Sequence, residues 1–160
     1  MKILIAFATR YGTTERCAEI LKNILTEKQH EVIVIDLKKN KKVTLKDYDA
    51  VVIGGSFMMF RMNSLVIKFV KSNLDTLLKM KTGLFMCGAD DKWEEEIKKG
   101  FPEELLKNAA VQGYFGYEMN WDRMSPIFRG MMQKSYNTTE PVRMINKENI
   151  EKFADQIAES

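Results

Sequence analysis

Ile3-Leu4-Ile5-Ala6-Phe7-Ala8, followed at once by Thr9-Arg10-Tyr11-Gly12-Thr13-Thr14, decides how the rest of this chain is read. Six apolar residues in an unbroken run predict a strand covered on both faces. The hydroxyl-rich stretch then opens a segment in which Cys17, Ile20, Leu21, Ile24 and Leu25 recur at helical spacing, so a helix is expected over residues 13–28. Strand, short loop and helix start together place backbone N–H groups and the hydroxyls of Thr9, Thr13 and Thr14 around the positive end of a helix dipole, an arrangement suited to a phosphate. Gly12 lets the backbone turn tightly and come close to an anion. The spacing is neither the G-x-G-x-x-G of a dinucleotide fold nor the G-x-x-x-x-G-K-[ST] of an NTPase. A single phosphate monoester is the expected ligand.

Working outward, apolar runs alternate with helical patterns. Strands are expected at 31–37, 50–55, 82–88 and 111–119, and helices at 64–80, 101–109 (opened by Pro102), 122–134 and 147–158. Alternating β and α elements with near-continuous apolar strands imply a parallel sheet with helices on both faces. Right-handed crossovers reduce the topology to a doubly wound α/β sandwich of three layers, with five strands in the order 2-1-3-4-5 and one domain over 1–160. Ligands of such sheets sit beyond the carboxyl ends of the strands at the switch point, so the loops 9–14, 56–63 and 87–93 should converge.

Composition sets bounds. The 160 residues are 45% hydrophobic and 29% charged, ordinary for a globular protein able to bury its own core. The apolar runs are too short to span a bilayer, and the N-terminal pattern is that of a strand rather than a targeting peptide, so a cytoplasmic protein is expected. Cys17 and Cys87 lack metal-ligand spacing and read as buried free thiols. Lys38-Lys39-Asn40-Lys41-Lys42 reads as a solvated turn, without the interleaved aromatics of a nucleic-acid surface. His30 reads as a turn residue. No nucleophile–base pair, paired carboxylates or metal cluster stands out, so no catalytic side chain is assigned and the chemistry is expected from a cofactor.

At Thr9-Arg10-Tyr11-Gly12-Thr13-Thr14 the chain resembles the flavodoxin family, whose phosphate loop follows the first strand with a T/S-x-T-G-N-T pattern. The T-R-x-G-x-T form looks more like the flavodoxin-like, menaquinone-dependent protoporphyrinogen oxidases. The resemblance implies non-covalent FMN, with the phosphate held by the hydroxyls of Thr9, Thr13 and Thr14 and by N–H groups from Arg10, Tyr11 and Gly12 through Thr14. Arg10 has two readings, toward the phosphate or away from it as a surface arginine. In the second loop, Gly54-Gly55-Ser56 leads into Phe57, Met58, Met59 and Phe60, an oddly apolar stretch for a loop, and these side chains are expected to flank the isoalloxazine ring. The third loop, Cys87, Gly88, Ala89, Asp90, Asp91, Lys92 and Trp93, resembles the family's other flavin-side loop. There Trp93 could stack on the ring or anchor a following helix, and Asp90 and Asp91 could face the flavin or cap that helix.

Two departures from the family bear on mechanism. Its one-electron carriers usually place in the second loop a glycine whose peptide can flip beside the flavin. The run from Phe57 to Arg61 has none, which makes a flip costlier and favours two-electron chemistry. The carriers are also strongly acidic, whereas this chain has 25 basic and 22 acidic residues. That balance suits the basic partners of the carriers poorly and suits an anionic substrate or an anionic membrane surface. The expected partners are a redox partner protein or a quinone, an anionic or hydrophobic small-molecule substrate, and a peripheral membrane contact. Residues 124–133 read as a Met-rich amphipathic helix beside Arg123 and Arg129 that either packs on the sheet or offers a hydrophobic surface. In the oxidase reading Arg123 and Arg129 pair with porphyrin propionates, and Met124, Phe128, Met131 and Met132 cover the macrocycle. A fold that kept its binding site without redox use is the remaining alternative.

Overall fold

In β1 (Lys2–Ala8) the side chains alternate: Leu4, Ala6 and Ala8 enter one buried apolar cluster, and Ile3, Ile5 and Phe7 enter another on the opposite side. One strand thus faces two cores, as its unbroken apolar run requires. The computed structural model describes residues 1–40, 42–89 and 92–159. Around β1 lie β2 (Glu31–Asp36), β3 (Ala50–Met58), with β4 (Arg61–Met62) folded back on it, then β5 (Lys81–Cys87) and β6 (Val111–Tyr114). The parallel order β2-β1-β3-β5-β6 is the expected 2-1-3-4-5, with the short β4 accounting for the change in numbering.

Helices α1 (Thr13–Glu27) and α6 (Lys147–Glu159) cover one face through Cys17, Leu21, Leu25, Phe153 and Ile157. The other is covered by α2 (Ser64–Leu77), α3 (Trp93–Gly100) and α4 (Glu103–Asn108) through Val66, Val70, Ile97 and Leu105. Phe85, Phe115 and Phe153 form an aromatic knot between sheet and α6, with the Phe85 and Phe115 rings 4.4 Å apart and Phe115 edge-on to Phe153 at 5.1 Å. Truncating one of these buried rings to alanine should cost about 3–5 kcal/mol.

Four elements differ from the sequence expectation. The stretch expected as an open second loop is largely strand: β3 continues to Met58, and Met59-Phe60 turn the chain into β4, pairing Phe57 with Met62 and Met58 with Arg61. Helix α3 was not expected, because only Trp93 and Ile97 give it apolar periodicity. Its Glu94, Glu95 and Glu96 at the start and Lys98 and Lys99 at the end instead match the helix dipole.

The expected fifth strand breaks at Gly116 (φ 81°), where a Cβ would lie 2.0 Å from the Met144 carbonyl oxygen. Beyond the break, β7 (Gly116–Met119) leaves the main sheet and pairs antiparallel with β8 (Val142–Ile145). Between them lie a 3-10 turn, Trp121–Arg123, and α5 (Pro126–Tyr136), which starts at Pro126 under a Ser125 cap rather than at 122 or 124. Among the described residues no helix is long and apolar enough to cross a membrane, and no group of acidic, His or Cys side chains is placed to hold a metal ion.

Candidate functional site

The carboxyl ends of β1, β3 and β5 open into a cavity of about 440 Å³, within the range of small-molecule sites. The first loop contributes Thr9, Arg10, Tyr11 and Thr13 to its wall; Ser56, Phe57, Met58, Met59 and Phe60 come from the β3–β4 hairpin; Cys87, Gly88 and Ala89 follow β5. The three loops singled out in the sequence therefore do converge.

At the base of the cavity, Gly12 caps α1 in the left-handed region (φ 96°) with no side-chain cap, leaving the first-turn N–H groups to an outside partner. Thr14 Oγ1 is fully buried and has no hydrogen-bond partner in good geometry; the Cys87 thiol lies beside it, close enough to act on it. An orphaned buried hydroxyl costs about 1–3 kcal/mol. An anion at this helix start would answer both the hydroxyl and the dipole, so the loop suits a phosphate group. Two details differ from the expected cradle. Thr13 Oγ1 donates to the Glu118 carbonyl at 3.2 Å, and the Gly12 N–H is turned back onto Thr9 Oγ1 at 2.8 Å. The Thr9 hydroxyl accepts that bond and keeps its own proton to donate.

Tyr11, the position where this motif departs most from the family pattern, leaves the loop and stacks on Phe128 of α5, with ring centroids 5.5 Å apart. The Arg10 guanidinium lies over both rings, 5.7 Å from Tyr11 and 5.9 Å from Phe128, so it neither coordinates the loop nor hangs free. Arg123 packs against the outer side of Gly12 and pairs with Glu15 at 3.8 Å. Glu118 on the cavity wall is held by Arg16 at 3.1 Å.

The hairpin tip is strained. Met59 (φ 50°) and Phe60 (φ 61°) both occupy the left-handed region, which is costly for side chains of this size. They are 69% and 75% exposed, so they edge the cavity mouth rather than fill the core. In the third loop, Gly88 is tied down by its N–H to the Gly116 carbonyl and by the Tyr114 hydroxyl, which donates to its own carbonyl at 2.7 Å. Trp93 does not reach the cavity: it opens α3 and stacks on Tyr114 at 6.3 Å, so the anchoring role prevails over ring stacking. Asp90 and Asp91 lie outside the described residues.

A fourth wall is missing from the three-loop expectation. Tyr117, Glu118 and Met119 of β7 and Met124, Phe128, Met131, Met132, Ser135 and Tyr136 of the α5 region line the same cavity. Met124, Phe128, Met131 and Met132 carried a signal as an apolar helix face; Glu118 and Ser135 did not, because their role depends on the break at Gly116. Burial, with Tyr117 nearby, holds the Tyr136 hydroxyl above the usual tyrosine range. Burial also pushes the Cys87 thiol well up, with Cys17 next to it adding to the shift, so Cys87 faces the cavity as a neutral group.

A family model described as a flavodoxin domain matches residues 4–145. No curated protein matches the chain in sequence. Among solved structures, two-electron-reduced flavodoxin from Megasphaera elsdenii superposes with a TM-score of 0.64 at 14% identity, covering 99% of each chain. Oxidised flavodoxin 1 from Bacillus cereus gives 0.57 at 19%, covering 99% of this chain and 95% of its own. Rubredoxin oxygen:oxidoreductase from Desulfovibrio gigas gives 0.55 at 10%, with 99% of this chain matching 37% of that larger one. At such identities the structural likeness establishes the fold, and the family match over 4–145 goes further: this chain belongs to the flavodoxin family, whose members bind FMN and transfer electrons.

Proposed function

We propose that FMN lies with its phosphate at the start of α1 and its ring between the β3–β4 hairpin and the Gly88 loop, and that it exchanges electrons with a hydrophobic small molecule, a quinone being the best-suited class. The observation that carries this reading is the fourth wall. Met124, Met131 and Met132 line the cavity that the flavin loops enclose, where polarisable thioethers suit a flat apolar ligand. The first-turn N–H groups of α1, the Thr9 hydroxyl and Thr14 Oγ1 hold the phosphate, and Phe57, Met58 and Phe60 flank the ring. Bound FMN supplies the redox chemistry, taking up and releasing electrons through its ring. The chain's own contribution is to orient that ring, to exclude water with the hairpin and α5, and to keep neutral side chains such as Cys87 at its edge.

Exposed Ile127, Met131, Met59 and Phe60 give the molecule an apolar rim, which supports peripheral contact with a membrane as the source of a quinone. A cytoplasmic location fits the same picture. The T-R-x-G-x-T loop and the methionine wall also support the narrower reading, a protoporphyrinogen oxidase-like enzyme. Arg123 and Arg129 fit its propionate-pairing role less well, since they already pair with Glu15 and Asp122 and lie outside the cavity wall.

The test is to load the protein with FMN, reduce it with dithionite, and add a menaquinone analogue, with and without protoporphyrinogen, while following flavin absorbance and porphyrin fluorescence. Rapid reoxidation by the quinone is expected. Reoxidation no faster than the oxygen-free blank would overturn the quinone reading, and porphyrin formation at the autoxidation rate would remove the oxidase reading.

A further inference from the structure

On the far side of the β3–β4 hairpin lies a second cavity, of about 660 Å³, walled by the loop after β2, the outer face of the hairpin and the start of α2. Met58 and Met59 line both cavities, so the hairpin is a partition between them. Lys38 and Arg61 line only this one, together with Asn63 and Ser64, and Arg10 closes it toward the phosphate loop.

The charge of this cavity is one-sided. Two cations, Lys38 and Arg61, line this cavity alone, Arg10 lines both, and among the described residues no carboxylate lines it. Among the described residues Lys38, Arg61 and Arg10 make no ion pair. Asp36, at the end of β2, accepts the Lys38 amide at 2.8 Å and lies 3.9 Å from Lys39, and it does not line the cavity. Elsewhere on the surface several cations sit beside a carboxylate, as in Lys28–Asp155 and Lys152–Glu148. Cations gathered in a concavity without a counter-charge focus a positive potential there. The polar lining adds donors of the kind anions use: the hydroxyls of Ser56 and Ser64 and the Asn63 amide, whose Oδ1 is taken up by the Leu65 N–H while its nitrogen faces Ser56 Oγ at 3.4 Å.

We propose that this cavity is an anion subsite that holds the charged end of a small molecule carrying closely spaced phosphate or carboxylate groups, beside the flavin and separated from it by the Met58-Met59 partition. The size favours a small molecule with more than one anionic group over a lone inorganic ion. The subsite rests on the placement of the FMN phosphate at the start of α1, which leaves Lys38 and Arg61 without a role in holding the cofactor. A reductant or substrate anchored here would present its uncharged end at the hairpin tip, over the edge of the ring.

The experiment is calorimetric titration of FMN-loaded protein at low ionic strength with pyrophosphate in one arm and citrate in the other, repeated on Lys38→Gln/Arg61→Gln. Saturable binding of at least one anion is expected, weakened about tenfold or more in the double variant while FMN affinity stays unchanged. Preference for pyrophosphate assigns a phosphate-bearing ligand, and preference for citrate a polycarboxylate. Lys38→Gln alone, on an exposed loop, should move binding in the same direction if the double variant folds poorly. No saturable binding of either anion, binding indifferent to the substitutions, or displacement of FMN by the anion would each overturn the subsite. Failure of the protein to take up FMN at all would count against the flavin reading instead, and the same substitutions would then judge the subsite on the colourless protein.

Discussion

Tyr11 of the phosphate loop stacks on Phe128 of α5, centroids 5.5 Å apart and planes inclined by 21°. This contact joins the loop that opens α1 to an element that leaves the main sheet at Gly116, and it lies against a small cluster of its own built on Met119, Trp121 and Met124. Removing it with Phe128→Ala should leave the main sheet intact but free α5 from the loop. Thermal unfolding should shift only modestly, since neither ring is fully buried, while FMN and apolar ligands dissociate faster. Stopped-flow release of FMN would record this; unchanged release would mean that α5 is a bystander.

Thr14→Val separates binding from stability by sign. Without cofactor the buried hydroxyl has no partner, so an isosteric apolar group should be neutral or stabilising in urea denaturation. With FMN, loss of a hydrogen bond to the phosphate should weaken affinity by about 1–3 kcal/mol. Weakened binding together with lost stability of the cofactor-free protein would place Thr14 in the core rather than at the phosphate.

Much of this was legible in the primary structure, for identifiable reasons. Strands such as Ile3–Ala8 and Val51–Ile53 are covered on both faces, so their apolar runs need no tertiary context to be recognised, and the parallel order followed from them. The convergence of Thr9, Ser56 and Cys87 followed in turn from the topology. What stayed hidden depends on contacts between segments distant in sequence. Gly116 looks like any strand glycine until the Met144 carbonyl is packed against it. Trp93 is a plausible ring-stacker until Tyr114 lies parallel to it. The side chain of Tyr11 had no legible role in a phosphate motif because its partner, Phe128, is more than a hundred residues away.

At Gly12 two penalties coincide: a positive φ of 96° and Arg123 packed where a Cβ would stand. Gly12→Ala should lower stability by about 1–2 kcal/mol through backbone strain. The Arg123 side chain is flexible, so adding Arg123→Ala should recover little of that loss. Full recovery in the double variant, measured by urea denaturation, would show that crowding and not φ is the constraint.

The hairpin tip should respond in the opposite sense. Replacing Met59-Phe60 by Asn-Gly supplies residues that accept positive φ at both turn positions, and should raise the melting temperature of the cofactor-free protein. The same change strips the exposed aromatic and thioether from the mouth of the cavity, so FMN retention and quinone reactivity should fall. A stabilised variant with undiminished reactivity would show that the tip is not part of the site.

His30 gives a modest pH dependence. Partial burial lowers its pKa below the usual 6.5, with the N-terminal charge, Lys81 and Lys28 acting in the same direction. The unfolded chain therefore binds a proton more readily, and this group's contribution to stability is present above pH 6.5 and lost as pH falls through the folded-state value. His30→Asn should flatten the loss of stability between neutral and mildly acidic pH, seen as a smaller shift in urea midpoint. An unchanged or steeper slope would contradict the assignment.

In the proposed function the start of α1 holds the FMN phosphate, and this phosphate secures the flavin. Titration of cofactor-free protein with FMN and, separately, with riboflavin tests it most directly, because the two ligands differ only in that group. Quenching of flavin fluorescence should saturate at one FMN per chain with micromolar or tighter affinity, and riboflavin should bind at least about a hundredfold more weakly, as expected for several charge-assisted hydrogen bonds. Riboflavin binding as tightly as FMN, or no saturable binding of FMN, would contradict the account.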